Sequence, residues 1–432
     1  MEAQHGKRLL VVGGGPKAAA IAAKSHILRE QGHDAPEVWV LEREEICANW
    51  TGDHGFTNGK ATLGTPPEKD IGFPYMIDKE PKVTQAIFSR FSWGSYKNFE
   101  QRTFGEWIDR GRPHPTHENW ADYIIRVINQ TAEDRVILGS CDRLEIDGDE
   151  WIVHIKDDGD EIRKERFSGV VITGPGTRKR PPFDLPANRM IHYGDDFWRK
   201  CDHNYIKQHV NKKKDALPII VVGGGETAAA IVSYLVDQFD AENPRIYVLT
   251  RSGAIFSRGE GYYENRRFTE ALDWCGLQPS VRREVIDRAD RGVFSVEVMR
   301  KLSLSRRVEH QCLEVKGVRI EESRVVLNPD ETGLDCQMLI WALGFDPFWF
   351  IKLLPDDVQA RFDKLVRQRV IRNREARRNR EIEALVGHDL SLPKKLVPAK
   401  LYVPMISGFA QGPGFPNLSC LGDLSDRILG RR

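Results

Sequence analysis

Two short glycine-rich stretches hold the residues with the clearest chemistry. Gly13-Gly14-Gly15-Pro16-Lys17-Ala18 and Gly223-Gly224-Gly225-Glu226-Thr227-Ala228 both read Gly-x-Gly-x-x-Ala. Placed between a strand and a helix, such a turn aims backbone N–H groups and the positive end of the helix at a pyrophosphate. Gly13 and Gly223 allow the tight turn, Gly15 and Gly225 let a phosphate approach the backbone, and Ala18 keeps helix and strand close. Thr227 is counted among the contacts of the second loop. The two sites then differ. The strand after the first loop ends in Glu42, whose carboxylate can accept hydrogen bonds from a ribose, as the adenosine half of FAD requires. The strand after the second ends in Thr250-Arg251, where a guanidinium suits a 2′-phosphate, so NADPH is expected there rather than NADH.

The elements that must position these loops are legible. Residues 9–12 and 219–222 are continuous apolar runs, each followed by its glycine loop, an Ala-rich helical stretch (18–27 and 229–236) and a second apolar run (38–41 and 246–249). These are two βαβ beginnings, so the fold class is α/β, with two doubly wound, Rossmann-like dinucleotide-binding domains. Apolar runs at 169–172 and 338–341 end in glycine turns. The simplest arrangement inserts one domain in the other. Residues 1–176 and 340–432 form an FAD-binding domain, 215–335 an NADPH-binding domain with a small helical substrate region, and 177–214 a connector. The stretch 356–385 is helical in pattern and rich in arginine (361, 367, 369, 372, 374, 377, 378 and 380 among them), with acids interleaved, which reads as a solvated face or subunit contact.

Composition narrows the function. The 432 residues carry a net charge of +1, which gives no electrostatic case for nucleic acid or an anionic membrane surface. No apolar run approaches the ~20 residues of a spanning helix. The seven cysteines are scattered and never spaced Cys-x-x-Cys, which fits free thiols in a reducing compartment; with no secretory pattern read at the start, the cytoplasm is the expected location. No metal-ligand cluster is seen. Dithiol flavoprotein reductases need a cysteine pair near the first loop, and Cys47 stands alone, followed by Ala48-Asn49-Trp50. The surroundings of Ile191-His192-Tyr193-Gly194 do not fit the Baeyer–Villiger signature either.

Three stretches are more specific: Leu63-Gly64-Thr65-Pro66-Pro67-Glu68-Lys69-Asp70-Ile71-Gly72-Phe73-Pro74-Tyr75, Arg258-Gly259-Glu260-Gly261-Tyr262-Tyr263-Glu264-Asn265, and Gln411-Gly412-Pro413-Gly414-Phe415-Pro416-Asn417-Leu418-Ser419-Cys420-Leu421-Gly422. With Ala342-Leu343-Gly344-Phe345, they give a chain that resembles the flavin-dependent N-hydroxylating monooxygenases of siderophore biosynthesis over nearly its whole length. It looks closest to the lysine N6-hydroxylases of mycobactin and nocobactin type. The resemblance implies that NADPH reduces FAD, that O2 adds to give a C4a-hydroperoxide, and that the side-chain amine of free L-lysine attacks it. It also implies that Lys69 pairs with the substrate carboxylate and Asn265 with its polar end. Trp50, Gly344 and Leu424 join the expected cofactor contacts.

Departures from the pattern matter too. Related ornithine hydroxylases place polar residues where Gly64, Val293 and Gly430 stand here, and the resemblance implies that His117 replaces an arginine that helps hold NADP. A less polar pocket end suits the longer lysine chain, although a methylene discriminates by only ~1–3 kcal/mol. An ornithine or diamine hydroxylase is the first alternative, and a flavin NADPH oxidase or sensor without hydroxylation the second. The expected partners are a small amino acid and O2. A homo-oligomer is compatible with the resemblance, whose members often form dimers or tetramers. No side chain stands out as a general base; His117 and His192 are the candidates.

Overall fold

A computed structural model of the chain describes residues 7–431, apart from 55–56, 77–79, 158, 160, 240–242, 271–272, 290–291, 332 and 367–373. Two five-stranded parallel sheets organise it. The first runs, in spatial order, Lys400–Tyr402, Gly169–Ile172, Arg8–Val12, Glu37–Glu42 and Val136–Leu138. The second runs Val308–Cys312, Ile246–Thr250, Ile219–Val222, Met338–Trp341 and Ile191–Tyr193. Parallel strands covered on both faces need apolar side chains throughout. The central strands comply: all residues of 169–172, 219–222 and 338–341 are buried. Each such Val, Ile or Leu contributes about 1.5–3 kcal/mol on leaving water.

Each sheet is sandwiched between two apolar cores. Over the first, the helix Pro16–Glu30 packs with His117–Ala132 and Leu421–Ile428 on one side. The other side is closed by the antiparallel sheet 140–167 and by residues 348–410. Over the second, the helices Glu226–Asp237 and Val296–Ser303 cover one face. The hairpin sheet 318–336 covers the other.

The connections correct the domain boundaries expected from sequence. Met338–Trp341 pairs in register with Ile219–Val222, so residues 340 and 341 belong to the second sheet rather than to the outer domain. Ile191–Tyr193 pairs along Leu339–Trp341 as an edge strand, and helices follow at 194–200 and 203–209, so much of 177–214 is part of the second unit. An apolar run looks the same in either sheet, and a three-residue edge strand leaves little periodicity to read. The chain passes between units along two short strands lying side by side, Thr177–Arg178 and Phe345–Asp346.

In the arginine-rich stretch, helices occupy Asp356–Lys364 and Arg374–Ala384. Arg361 pairs with Asp357, and Arg378 with Asp363, both within the stretch. Arg367, Arg369 and Arg372 lie outside the described residues. Among the described residues, no helix is long and apolar enough to cross a membrane.

Candidate active site

The first glycine loop is built to receive a ligand. Gly13 adopts φ +109°, a left-handed conformation, and a Cβ there would stand 2.8 Å from Thr173 Oγ1. Gly15 is different: its φ is −99°, and a Cβ would meet nothing within 4 Å. The helix it begins has no side-chain cap, so first-turn N–H groups are left for another acceptor. Other helices in the molecule are capped, by Thr116, Asp202 and Ser295. Glu42 turns back onto the loop. Its carboxylate accepts from Gly14 N–H at 2.6 Å and from Arg43 N–H at 2.8 Å, which fixes the acid at the strand end. Ala18 is fully buried where helix meets strand.

The second loop repeats this construction. Gly223 adopts φ +141°, and a Cβ there would fall 2.3 Å from the carbonyl oxygen of Ala342. Gly225 begins an uncapped helix and opens onto space. The methyl of Thr227 packs near Gly194, where a Cβ would come within 2.8 Å of it. Arg251 follows the next strand with its side chain 82% exposed; its acidic neighbour, Glu314, is 4.0 Å away.

A cleft of about 2380 Å³ runs from the first loop to the second unit. That exceeds the ~300–1,000 Å³ of an ordinary small-molecule site, which leaves room for an extended ligand. Gly13, Gly15, Glu42, Trp50, Gly64 and His117 line it from the first unit. Trp198, Glu226 and Tyr234 line it from the second, together with Arg258 and Ser295. Gly174 also lines it and, like Gly15, would carry a Cβ into open space. A cradle left empty by glycines, uncapped amides and a fixed carboxylate together fit a dinucleotide of the FAD type.

Of the other expected contacts, Leu424 is a fully buried core residue. Gly344 sits at φ +73° between the cleft residues Leu343 and Phe345. Of the second glycine loop Glu226 reaches the cleft lining, whereas Gly223, Gly225, Thr227 and Arg251 lie away from it.

Lys69 and Asn265, 196 residues apart and on different units, meet: Lys69 Nζ donates to Asn265 Oδ1 at 2.9 Å. Asn265 Nδ2 donates in turn to the backbone carbonyl of Glu260 at 2.6 Å, which fixes the amide orientation. Burial, and then the nearby Arg258 cation, lower the pKa of the Lys69 ammonium; Cys420 and Glu260 pull the other way. The turn that carries Lys69 is anchored by Asp70, 2% exposed. Its carboxylate accepts from Tyr75 Oη at 2.7 Å, Trp93 N–H at 2.8 Å and Gly72 N–H at 3.1 Å. Burial still raises its pKa to about 7. The C-terminal segment clamps the same turn through Gly422 N–H and the Phe73 carbonyl, 2.7 Å apart. A Cβ on Gly422 would collide with the carbonyl oxygen of Gly72.

His117 lines the cleft edge-on to the Trp50 ring, with Nδ1 2.9 Å from Thr57 Oγ1. Burial lowers its pKa to about 4. It is a weak acceptor for a proton held by an amine of pKa ~10.4. His192 is buried on the edge strand of the second sheet, away from the cleft. Val293 is buried in a short strand pair, and Gly430 lies beyond the last helix. Among the described residues no group of His, Cys, Asp and Glu is arranged to hold a metal. Arg258, Ser295 and Asp70 were not singled out from sequence. Asp70 follows Lys69 directly, but its burial has no sequence signature.

No family model matches the chain. It is 36% identical over 434 residues to the L-lysine N6-monooxygenase MbtG of Mycobacterium tuberculosis, covering 98% of this chain and 94% of that one. The same enzyme of Mycolicibacterium paratuberculosis is 35% identical, with 98% and 95% covered. Among solved structures, the lysine monooxygenase NbtG from Nocardia farcinica superposes with a TM-score of 0.78 at 34% identity, covering 98% of both chains. The ornithine N-hydroxylase KtzI of Kutzneria sp. 744 shares the fold, with a TM-score of 0.71 at 18% identity and 98% of both chains covered.

Proposed function

The chain belongs to the L-lysine N6-monooxygenase family, and on that premise we propose that it hydroxylates the side-chain amine of free L-lysine, using FAD, NADPH and O2. The observation that carries the substrate reading is the Lys69–Asn265 pair, which is outside the cleft lining but within electrostatic reach of Arg258, a residue that lines it. A flexible ammonium held by an oriented amide suits the carboxylate end of an amino acid. We infer that the two parallel sheets are two dinucleotide-binding domains, with FAD on the first loop and NADPH on the second.

Bound FAD supplies the oxygen chemistry, reduced by NADPH, that no side chain here can provide. The chain's own residues bind, orient and dry the site. Gly13, Gly15 and the uncapped amides after them receive the pyrophosphate, and Glu42 the ribose. Lys69 and Asn265 hold the amino acid so that its side-chain amine extends into the cleft. That amine must be neutral to attack. Desolvation in a closed pocket lowers the pKa of a substrate ammonium. The lowered basicity of His117 makes environment, rather than an imidazole, the source of deprotonation. The N6-hydroxylysine product suits a route that forms a hydroxamate siderophore, and free thiols fit a cytoplasmic enzyme.

Hydroxylamine formation is measured beside NADPH consumption for L-lysine, L-ornithine and cadaverine. Stoichiometric product is expected from lysine, with little from the other two. NADPH oxidation that yields only peroxide with all three would overturn the substrate reading.

A further inference from the structure

We propose that Arg258 is a specificity-determining residue that closes, opposite Lys69, on the α-carboxylate of the amino-acid substrate. The inference rests on the amino-acid reading above and deepens it. Arg258 opens the stretch that ends in Asn265, and it lines the cleft together with Gly64 and Ser295. Its backbone is pinned, with N–H donating to the Phe294 carbonyl at 2.8 Å. Its guanidinium is left available. Among the described residues it forms no ion pair and no side-chain hydrogen bond, and its aromatic contact is the Phe268 ring, 5.7 Å from the centroid. Glu260, two residues on, feels the Arg258 charge without pairing with it.

The charges make the case. Lys69 and Arg258 are both cations, close enough for Arg258 to depress the ammonium of Lys69. Two like charges at a partly buried site repel, and each has given up water. Lys69 has found only a neutral partner, the Asn265 amide. A mono-anion between the two cations would relieve the repulsion and supply the missing partner. A carboxylate is the anion whose two oxygens match the planar guanidinium fork, with the ammonium as a point charge on its other side. The cation that suits a 2′-phosphate is elsewhere: Arg251 follows the second sheet's Ile246–Thr250 strand, off the cleft, while Lys17, Lys60 and Arg178 line the cleft apart from Arg258. A diamine has no carboxylate and cannot use the clamp, so Arg258 would set lysine apart from cadaverine.

The test uses the FAD-loaded full chain as wild type, Arg258→Met and Arg258→Lys. Methionine keeps much of the side-chain volume, and thermal melting checks that the variant is folded. Calorimetry measures binding of L-norleucine, which has the α-carboxylate but no side-chain amine; hydroxylamine assays give KM for lysine, cadaverine and NADPH. In Arg258→Met, norleucine binding and the lysine KM should each weaken by about tenfold or more, as expected for a lost charge-assisted hydrogen bond. The KM values for cadaverine and NADPH should hold, and Arg258→Lys should recover part of the loss. Unchanged norleucine binding overturns the proposal. So does a rise confined to NADPH, which would make the anion a phosphate, or an equal loss for lysine and cadaverine, which would make the residue structural. If the wild type binds norleucine through Arg258 but forms no hydroxylamine from lysine, the clamp stands and the hydroxylation reading falls.

Discussion

Asp70, buried, and His117, partly buried at the cleft, are titratable residues that push stability in opposite directions as pH changes. Burial raises Asp70 to about 7, against ~3.9 in an unfolded chain. Between roughly pH 4 and 7 the folded protein therefore binds the extra proton, and the Asp70 contribution to stability falls as pH rises. Burial lowers His117 to about 4, against ~6.5 unfolded. In nearly the same window the unfolded chain binds the extra proton, so the His117 contribution grows with pH. Above about pH 8 both contributions are flat. Melting temperatures at several pH values for wild type, Asp70→Asn and His117→Asn separate the two. Relative to wild type, Tm of Asp70→Asn should climb between pH 4 and 7, and Tm of His117→Asn should decline between pH 4 and 6.5. Parallel curves for all three proteins would show that neither group titrates as its burial implies. Asp70→Asn also leaves one of the three donors facing an amide NH2, and one unmet buried donor costs about 1–3 kcal/mol.

The glycine loops show how an element can be shaped for a partner rather than for itself. Gly13 is required by the fold, because its φ is +109° and Thr173 leaves no room for a Cβ. Gly15 is not: its φ suits any residue and its surroundings are empty. Gly15→Ala should therefore leave the apoprotein as stable as wild type, or up to about 1 kcal/mol more so, through reduced freedom of the unfolded chain. FAD affinity should drop by about tenfold or more, ~1.4 kcal/mol, because the methyl occupies the pyrophosphate's place. Gly13→Ala should lose both. Melting of the apoprotein and FAD titration by fluorescence distinguish the cases, and wild-type FAD affinity in Gly15→Ala would remove the pyrophosphate from this loop. Both loops were legible in sequence because glycine spacing and flanking apolar runs are local signals. The Met338–Trp341 strand was legible as a strand but not in its sheet, since partner choice is a long-range matter. The Lys69–Asn265 meeting came from resemblance, because no local pattern links residues 196 positions apart. Arg258 was not legible because an arginine just past a two-residue strand reads as surface until its neighbours are known.

At the scale of the whole molecule, the two sheets stand on separate units joined by a two-strand link, by side-chain contacts, and by the segment 274–289, where Trp274 Nε1 donates to the Phe409 carbonyl at 3.0 Å and Arg283 pairs with Glu383 at 2.9 Å. Arg199 of the second unit donates to the His54 carbonyl of the first at 2.7 Å, and Arg178 at the link pairs with Asp196 at 2.7 Å. Each unit has its own cores on both faces of its own sheet. Damage to one nucleotide site should therefore not spread to the other. Arg251 is the residue that tests this. It stands just past the end of the second sheet's Ile246–Thr250 strand, largely exposed, with its acidic neighbour at the limit of ion-pair distance. Its side chain supports no packing, so Arg251→Ala should leave melting temperature, FAD content and the lysine KM unchanged. Its charge is free to meet a phosphate, and a charge-assisted pair of this kind contributes about 1.5–3 kcal/mol. NADPH KM should rise by roughly 10- to 100-fold on that basis. NADH, which lacks the 2′-phosphate, should be used as before. Steady-state NADPH and NADH oxidation in the presence of lysine reads the two directly. Equal losses for both would mean that Arg251 shapes the second unit rather than selecting its cofactor, and a fall in FAD content would mean that the units are coupled more tightly than their separate cores imply.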